Sequence, residues 1–170
     1  MIYMVEMGLI ATHRRVEWDA WYLSHMHKLI SIPGIRATQR FESLSESASP
    51  FVALHQVDGP EVFTSDAYRA KAGPGGTGEW QHLMNNWYRN VFDSVDATPD
   101  VPMAGALIVV EEGADASDLP LRWMRSVGLD QSSERRAIGF VAEIADAMPL
   151  IGRKGVRVCK PLTPRLVEAA

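Results

Sequence analysis

Three features of the sequence predict an α+β fold with the element order βαββαβ. Residues 16–32 carry apolar side chains at helical spacing and end at Pro33-Gly34, which predicts one long helix. Residues 2–10, 35–43 and 51–57 are apolar throughout or alternate between apolar and polar side chains, as strands do. A second helix and a fourth strand are predicted further along, so about two thirds of the chain would form one α/β sandwich.

The composition is typical of a globular protein. The chain has 170 residues, 46% of them hydrophobic, and a formal net charge of −4. A chain without a run of basic residues lacks the footprint that nucleic acid binding requires. Cys159 is the only cysteine, which excludes an intrachain disulfide and favours a cytoplasmic protein. We expect no signal peptide, because Glu6 interrupts the first apolar run and no basic residues precede it. We expect no membrane segment, because no apolar stretch approaches ~20 residues.

The first predicted strand, residues 2–10, is apolar on both faces except for Glu6. Alternate side chains point to opposite faces of a sheet, so Glu6 lies on the face away from Tyr3. A carboxylate is costly to bury unless it is paired. Glu6 is therefore expected either to form a structural ion pair with Arg36 or Arg40, or to act as an acid or base in a cavity.

The long helix carries an ionisable side chain among aromatic rings. The stripe that helical spacing places on one face consists of Trp18, Tyr22, His25, Leu29 and Ile32. Burial among aromatic rings disfavours the imidazolium form, so His25 is expected to be neutral, as a general base must be. The alternative is an ordinary core histidine with one hydrogen-bonded nitrogen.

Residues 35–43 alternate, so Arg36 and Arg40 share the polar face of the second strand. If this face points into a cavity, a guanidinium can hold a carboxylate or enolate with two hydrogen bonds. If it points to solvent, both are ordinary strand charges. In the third strand either His55 or its neighbour Gln56 should face the cavity. A short helix is expected around residues 61–71.

A glycine-rich segment, residues 73–78, is expected to be a mobile loop near the cavity entrance. It lacks the Lys-Ser/Thr pair that a phosphate-binding loop needs. Residues 79–95 are predicted to form the second long helix, with Trp80 and Trp87 on its buried stripe, and residues 103–111 the fourth strand.

The last third of the chain has a weaker pattern. Residues 121–129 are predicted to be a strand, residues 133–147 a helix and residues 155–162 a closing strand. We therefore divide the chain into a unit at residues 1–112 and a segment at residues 113–170. That segment is either a partial second copy of the first unit or an extension that covers its sheet.

The order strand, helix, strand, strand, helix, strand is the ferredoxin-like order. Its first, third and fourth predicted strands are apolar on more faces than two helices can cover. This surplus of apolar surface predicts a homodimer.

Two segments resemble the dimeric α/β-barrel superfamily, and the EthD-like branch is the nearest. WYLSHMHKLISIPGI resembles its helix-to-strand segment, in which a His precedes Pro-Gly by several residues. FVALHQVDGPEVFTSDAYRA resembles its third strand and second helix. The resemblance covers residues 1–112, and it departs from the EthD-like pattern at His27, where those chains usually have Pro.

The resemblance implies a βαββαβ protomer whose sheet pairs with a second copy to form a barrel. It also implies a cavity between the sheet and the helices. Members of the superfamily use that cavity for cofactor-free isomerisation, cyclisation, dehydration or decarboxylation of small cyclic compounds, for oxygenation with or without haem, or for no known chemistry.

Ten side chains are candidates for this site. The expected catalytic residues are His25 as the base, Tyr22 and Glu6 to hold the substrate or carry the proton, and Arg40 to stabilise developing negative charge. The expected substrate-binding residues are Trp18, Trp21, Arg36, His55, Trp80 and Trp87. For the tryptophans the simpler interpretation is a place in the core.

No metal or other cofactor is expected. His27 lies about 200° around the helix from His25, so the two cannot bind one ion. The spacings of zinc ligands, such as HxxxH, are not found.

The leading hypothesis is a cofactor-independent lyase or isomerase that moves a proton next to a carbonyl on a cyclic or polyketide-like substrate. The alternatives are a haem-binding or haem-degrading monooxygenase-like protein with a histidine axial ligand, and a non-catalytic dimer whose cavity is filled by side chains.

Overall fold

The computed structural model of the protein describes residues 1–72 and 76–168. Its strands are β1 (Ile2–Leu9), β2 (Ile35–Ser43), β3 (Phe51–Val57), β4 (Met84–Asp93), β5 (Ala106–Glu111), β6 (Arg122–Leu129), β7 (Arg135–Val141), β8 (Val156–Pro161) and β9 (Leu166–Val167). Its α-helices are α1 (Arg15–Ile30), α2 (Asp66–Lys71) and α3 (Ile144–Ala147). Short 3-10 turns precede α1, α2 and β4 and follow α3.

The strands form one closed antiparallel barrel. Their order is β3-β1-β4-β6-β7-β5-β8-β2, and β2 pairs again with β3 to close the ring, while β9 adds a short edge to β2. The order β4-β1-β3-β2 in the first half and β8-β5-β7-β6 in the second is the same ferredoxin-like arrangement. The two halves meet where β4 pairs with β6 and where β2 pairs with β8.

The barrel closes within one chain. The resemblance implied a barrel completed by a second copy, but here the second half of the same chain supplies the pairing strands. The strand expected at residues 103–111 is β5, and it pairs with β7 and β8 rather than with β1. A homodimer is therefore not needed to cover the sheet edges, and dimerisation stays a prediction.

The prediction of a long helix at residues 79–95 is wrong. A 3-10 turn at Gly78–His82 is followed by β4, which pairs with β1 and β6. Trp87 and Val91 are four residues apart, and that spacing fits one face of a strand as well as one face of a helix. The aromatic and β-branched residues of this segment favour the strand, and β1 would otherwise lack its second neighbour.

The expectations for the last third were partly correct. The predicted strands at residues 121–129 and 155–162 correspond to β6 and β8. The prediction of a helix at residues 133–147 is wrong, since β7 occupies the first half of this range and only the short helix α3 follows. The outer face of β5, β7 and β8 is covered instead by the loop after β5 and by the turns around α3.

The predicted long helix is confirmed as α1. It ends before Pro33-Gly34, where Gly34 has a φ of 92°, a left-handed conformation that glycine adopts without strain. Trp18, Tyr22, Met26 and Leu29 are its buried residues. These side chains cover the outer face of β1 and β3, in a core separate from the one inside the barrel.

Side chains fill the interior of the barrel along most of its length. The buried apolar residues there include Ile2, Met4, Phe41, Leu54, Phe92, Leu107, Met124 and Ile138. None of the helices in the described part of the chain has the length and apolar character needed to cross a bilayer.

Candidate active site between α1 and the barrel

A cavity of about 340 Å³ lies outside the barrel, between the sheet and its helices. It exists because β1 alternates: Tyr3, Val5 and Met7 point toward α1, while Met4 points into the barrel. The main contributors to its lining from other elements are Trp21, Tyr22, His25, His55, Tyr68, Trp87, Arg89 and Asp130. The cavity lies where the resemblance implied it.

The helix holds His25 between aromatic rings. The imidazole stacks on Trp21 with a centroid distance of 5.2 Å and an angle of 14° between the planes. The edge of Tyr22 meets the same imidazole at 5.9 Å. Residues three and four apart on a helix are neighbours, so Trp21, Tyr22 and His25 form one rigid group.

His25 is neutral at physiological pH. Burial lowers its pKa to about 4, and the charge of Lys28 acts in the same direction. Its Nδ1 is buried and has no hydrogen-bond partner in the described part of the chain. A buried polar atom without a partner is costly, and such atoms in native proteins are often explained by water or a ligand.

His55 faces the same cavity from β3. Its Nδ1 lies 2.8 Å from Oγ1 of Thr38, and its ring stacks on Tyr3 at 5.1 Å. Burial, together with a smaller effect of the nearby His25, lowers its pKa to about 3. Nε2 of His55 is buried without a partner among the described residues. The cavity thus has two neutral imidazoles, each with a buried nitrogen free to bind a ligand.

Three tyrosines supply hydroxyl groups that stay protonated. Burial raises the pKa of Tyr22 to about 12, and it also raises the pKa of Tyr3 and of Tyr68. The nearby Tyr68 contributes to the raised pKa of Tyr3. These groups can donate hydrogen bonds to a substrate oxygen without carrying charge.

Arg89 and Asp130 form a charged pair at the rim of the cavity. Asp130 Oδ2 accepts a hydrogen bond of 2.8 Å from the Arg89 backbone, and Oδ1 accepts one of 3.3 Å from its guanidinium. Asp130 belongs to the turn between β6 and β7, so the second half of the chain contributes to a site of the first. The sequence analysis missed Arg89 because it predicted a helix at residues 79–95 and considered only the tryptophans of that helix for the site.

Glu6 does not lie in this cavity. It points into the barrel, where its carboxylate is paired with Arg136 and Arg157. A structural ion pair was one of the two alternatives for Glu6, but the prediction that Arg36 or Arg40 is its partner is wrong. The cause is the alternation of β1, which sends Glu6 to the face opposite Tyr3.

The two arginines of β2 also lie outside the cavity. A register shift between Ile35 and Ala37 separates their environments, and Arg36 is exposed, with ion pairs to Asp58 and Glu168. Arg40 is buried under α1, 4.2 Å from the centre of the Trp18 ring, and its Nη1 lies 2.6 Å from Asp19.

Of the four tryptophans considered, Trp21 and Trp87 line the cavity. Nε1 of Trp87 is buried without a partner among the described residues, so this N–H can donate to a ligand. Trp18 is fully buried against Phe51 and does not line the cavity. Trp80 is a core residue behind Trp21, at a centroid distance of 5.9 Å.

The glycine-rich loop was expected at the cavity entrance. Residues 73–75 of this loop lie outside the described residues. Thr77, within the described part of the loop, and Gln81, shortly after the loop, contribute to the cavity lining.

Solved structures with a similar fold are known. A protein provisionally called a monooxygenase, from Lactobacillus acidophilus NCFM, superposes with a TM-score of 0.58 at 13% identity over 99% of this chain and 97% of its own. A protein provisionally called a chlorite dismutase superposes with a TM-score of 0.56 at 8% identity over 95% of each chain. The chain shares the fold of these two structures. No protein-family model matches the sequence, and no curated protein does.

The residues of this α/β barrel do not fit haem in the cavity. The cavity volume of about 340 Å³ is near the lower end of the roughly 300–1,000 Å³ found for small-molecule pockets. A porphyrin, with four pyrrole rings, is too large for a cavity of this size. Its two propionates would need two cations, and the described residues that line the cavity include a single guanidinium, that of Arg89. Within residues 1–72 and 76–168, no group of three or more possible ligands is placed to hold a metal ion.

Proposed function

We propose that the protein is a small monooxygenase-like enzyme without a bound cofactor, in which His25 removes a proton from a cyclic substrate. One observation carries this proposal: the neutral imidazoles of His25 and His55 face one aromatic cavity, and each has a buried nitrogen without a partner in the described chain. A neutral base between aromatic walls suits a flat, uncharged compound with an acidic C–H or O–H group. The name of the structural neighbour from Lactobacillus supports oxygen chemistry.

Proton removal prepares such a substrate for direct reaction with O2. The anion of a phenol or enol is electron-rich and can transfer electrons to O2 itself. At a CH2 group beside a carbonyl or aromatic ring, one oxygen atom becomes a new C=O group. The other oxygen leaves as water with the two hydrogen atoms. The substrate supplies all the electrons, so the reaction balances without an external reductant.

The low pKa of His25 applies while no substrate anion lies beside its imidazole. As the proton moves, an anion appears beside the imidazolium, and an opposite charge within ~4–6 Å favours the charged form of a histidine. Charges attract each other more strongly in a buried site than in bulk water. The transfer therefore produces an ion pair, which favours the protonated form of His25.

Arg89 would stabilise the substrate anion in place of Arg40. It lines the cavity, and its charge already opposes the burial that raises the pKa of Tyr3 and Tyr68. Trp21 and Trp87 would stack on the flat substrate, and the Nε1–H of Trp87 would donate to one of its oxygens. Tyr22, predicted to hold the substrate, lines the cavity and would donate a hydrogen bond from the helix.

A lyase or isomerase is the second candidate. The same neutral base and uncharged donors would suit proton transfer next to a carbonyl without oxygen. A non-catalytic protein with a filled cavity is less consistent with a void of about 340 Å³ beside two unpartnered histidines.

Oxygen consumption separates these candidates. Anthrone serves as the probe, with wild-type protein, His25→Ala and the matched control His27→Ala, whose imidazole is exposed on the same helix. Oxygen uptake that is lost only in His25→Ala supports the proposal. Turnover that depends on His25 but continues without O2 supports a lyase or isomerase. Equal rates in wild type and His25→Ala contradict both.

Two finer expectations stay predictions. Membership of the EthD-like branch rests on the sequence segments alone. A homodimer would use surface that the single-chain barrel leaves free, such as the outer face of β6, where Trp123 and Val127 are each 38% exposed. Sedimentation at micromolar concentration distinguishes a monomer from a dimer, and Trp123→Lys should abolish association through this face.

A further inference from the structure

The barrel has a second recess, at the end of its interior that contains Glu6. Most of the interior is apolar, but at this end charged side chains replace the apolar ones. The recess has a volume of about 450 Å³. It lies on the face of β1 opposite Tyr3, so it is separate from the cavity that holds His25.

Two buried arginines form the floor of this recess. Arg136 and Arg157 are 8% and 9% exposed, and both are paired with the buried carboxylate of Glu6. A single carboxylate between two guanidinium groups leaves a net positive charge at this depth. Such a charge is costly to bury unless another anion is near.

At present Glu111 supplies that second anion from the rim. Its carboxylate accepts a 3.1 Å hydrogen bond from Nε of Arg136 and lies 3.8 Å from Arg157. The side chain of Glu111 is 38% exposed, so protein covers it only in part. Its position shows where the oxygen atoms of an external anion could bind.

Donor groups remain available around this position. Nε of Arg157 is buried and has no partner in the described chain. Lys154 is exposed on the wall of the recess, in a turn between Gly152 and Gly155. On the opposite wall the loop after β2 contributes Ser45, Ser47 and Ser49, together with the single opposing charge of Glu46.

We propose that this recess binds a small oxyanion, a carboxylate or phosphate group, which displaces Glu111 from the two arginines. Guanidinium groups bind such groups with paired, charge-assisted hydrogen bonds, and Lys154 adds a further positive charge. The volume of the recess leaves room for an organic group attached to the anion. The site does not depend on the chemistry proposed for His25.

Titration calorimetry with inorganic phosphate and with malonate tests this inference, using potassium chloride at the same ionic strength as the reference. Glu111→Gln removes the competing charge and should bind about fivefold to tenfold more tightly than wild type. Lys154→Ala should bind about twofold to fivefold more weakly, as expected for an exposed cation. The stronger probe identifies the preferred group.

Lys160→Ala is the matched control, because Lys160 is a partly exposed lysine of β8 that pairs with Glu42 outside the recess. It should bind both probes as wild type does. The proposal is overturned if Glu111→Gln shows no saturable binding, if Lys154→Ala and Lys160→Ala bind equally, or if chloride gives the same heat. None of these results bears on oxygen consumption at the other cavity.

Discussion

The two buried histidines should make the protein less stable as the pH falls from 7 to 5. Burial lowers the pKa of His25 to about 4 and that of His55 to about 3, below the 6.5 of a free histidine. Between these values the unfolded chain binds protons that the folded chain does not, so the free energy of unfolding decreases as the pH falls. Both contributions are absent above pH 6.5.

The size of this loss of stability follows from how far the pKa of each histidine is lowered. One pKa unit corresponds to about 1.36 kcal/mol, so each histidine costs about 2 kcal/mol between pH 6.5 and pH 5. The pair therefore removes about 4 kcal/mol, a large part of the ~5–15 kcal/mol that stabilises a typical domain. Carboxylates contribute little in this window, because their unfolded pKa values lie near or below 4.5.

Urea unfolding followed by tryptophan fluorescence at pH 7, 6 and 5 measures this slope. His55→Asn keeps an acceptor for Thr38 near the position of Nδ1 but does not titrate, so it should halve the pH dependence. It should also lower stability at pH 7, by about 1–3 kcal/mol through the smaller side chain. His27→Ala, an exposed control, should retain the full slope. Unchanged stability in wild type between pH 7 and 5, or an unchanged slope in His55→Asn, would refute the reasoning.

Three further predictions concern the two sites. His25→Ala should lower turnover by about 10² to 10⁴ and leave a cooperative unfolding transition, whereas His27→Ala should change neither; equal losses would remove His25 from the mechanism. Arg89→Leu should lower kcat more than it raises KM, since it removes charge stabilisation from the transition state, and a change in KM alone would indicate a role in binding only. Glu6→Gln should cost about 3–5 kcal/mol of stability, measured by urea unfolding, because it leaves Arg136 and Arg157 buried with less opposing charge; a variant as stable as wild type would show that the pairs are dispensable.

Much of the first half of the fold follows from local patterns. The spacing of Trp18, Tyr22 and Leu29 can only form a continuous stripe on a helix, and α1 is where they predict it. The alternation along β1 and β3 also predicts that one of two neighbouring residues must face α1, and His55 does. The resemblance placed a cavity between sheet and helix, and His25, Tyr22, Trp21 and Trp87 line it.

The errors have one physical origin. A spacing of four residues satisfies both the period of a helix and the period of a strand, so Trp87 and Val91 did not distinguish between them. The choice depended on β1, which is more than 80 residues earlier and needed a partner on that side. The same wrong assignment of a helix left Arg89 out of the predicted site.

The sequence by itself determined the α+β class, the helix that bears His25 and the exclusion of a disulfide, because each depends on residues close together in the chain or on composition. Only the tertiary structure decided which side chains share a site. Glu6 finds Arg136 and Arg157 at separations of 130 and 151 residues, and Arg89 is fixed by Asp130 from the other half. Such contacts follow from the closure of the barrel, which depends on the register of strands in both halves and therefore leaves no local pattern in the sequence.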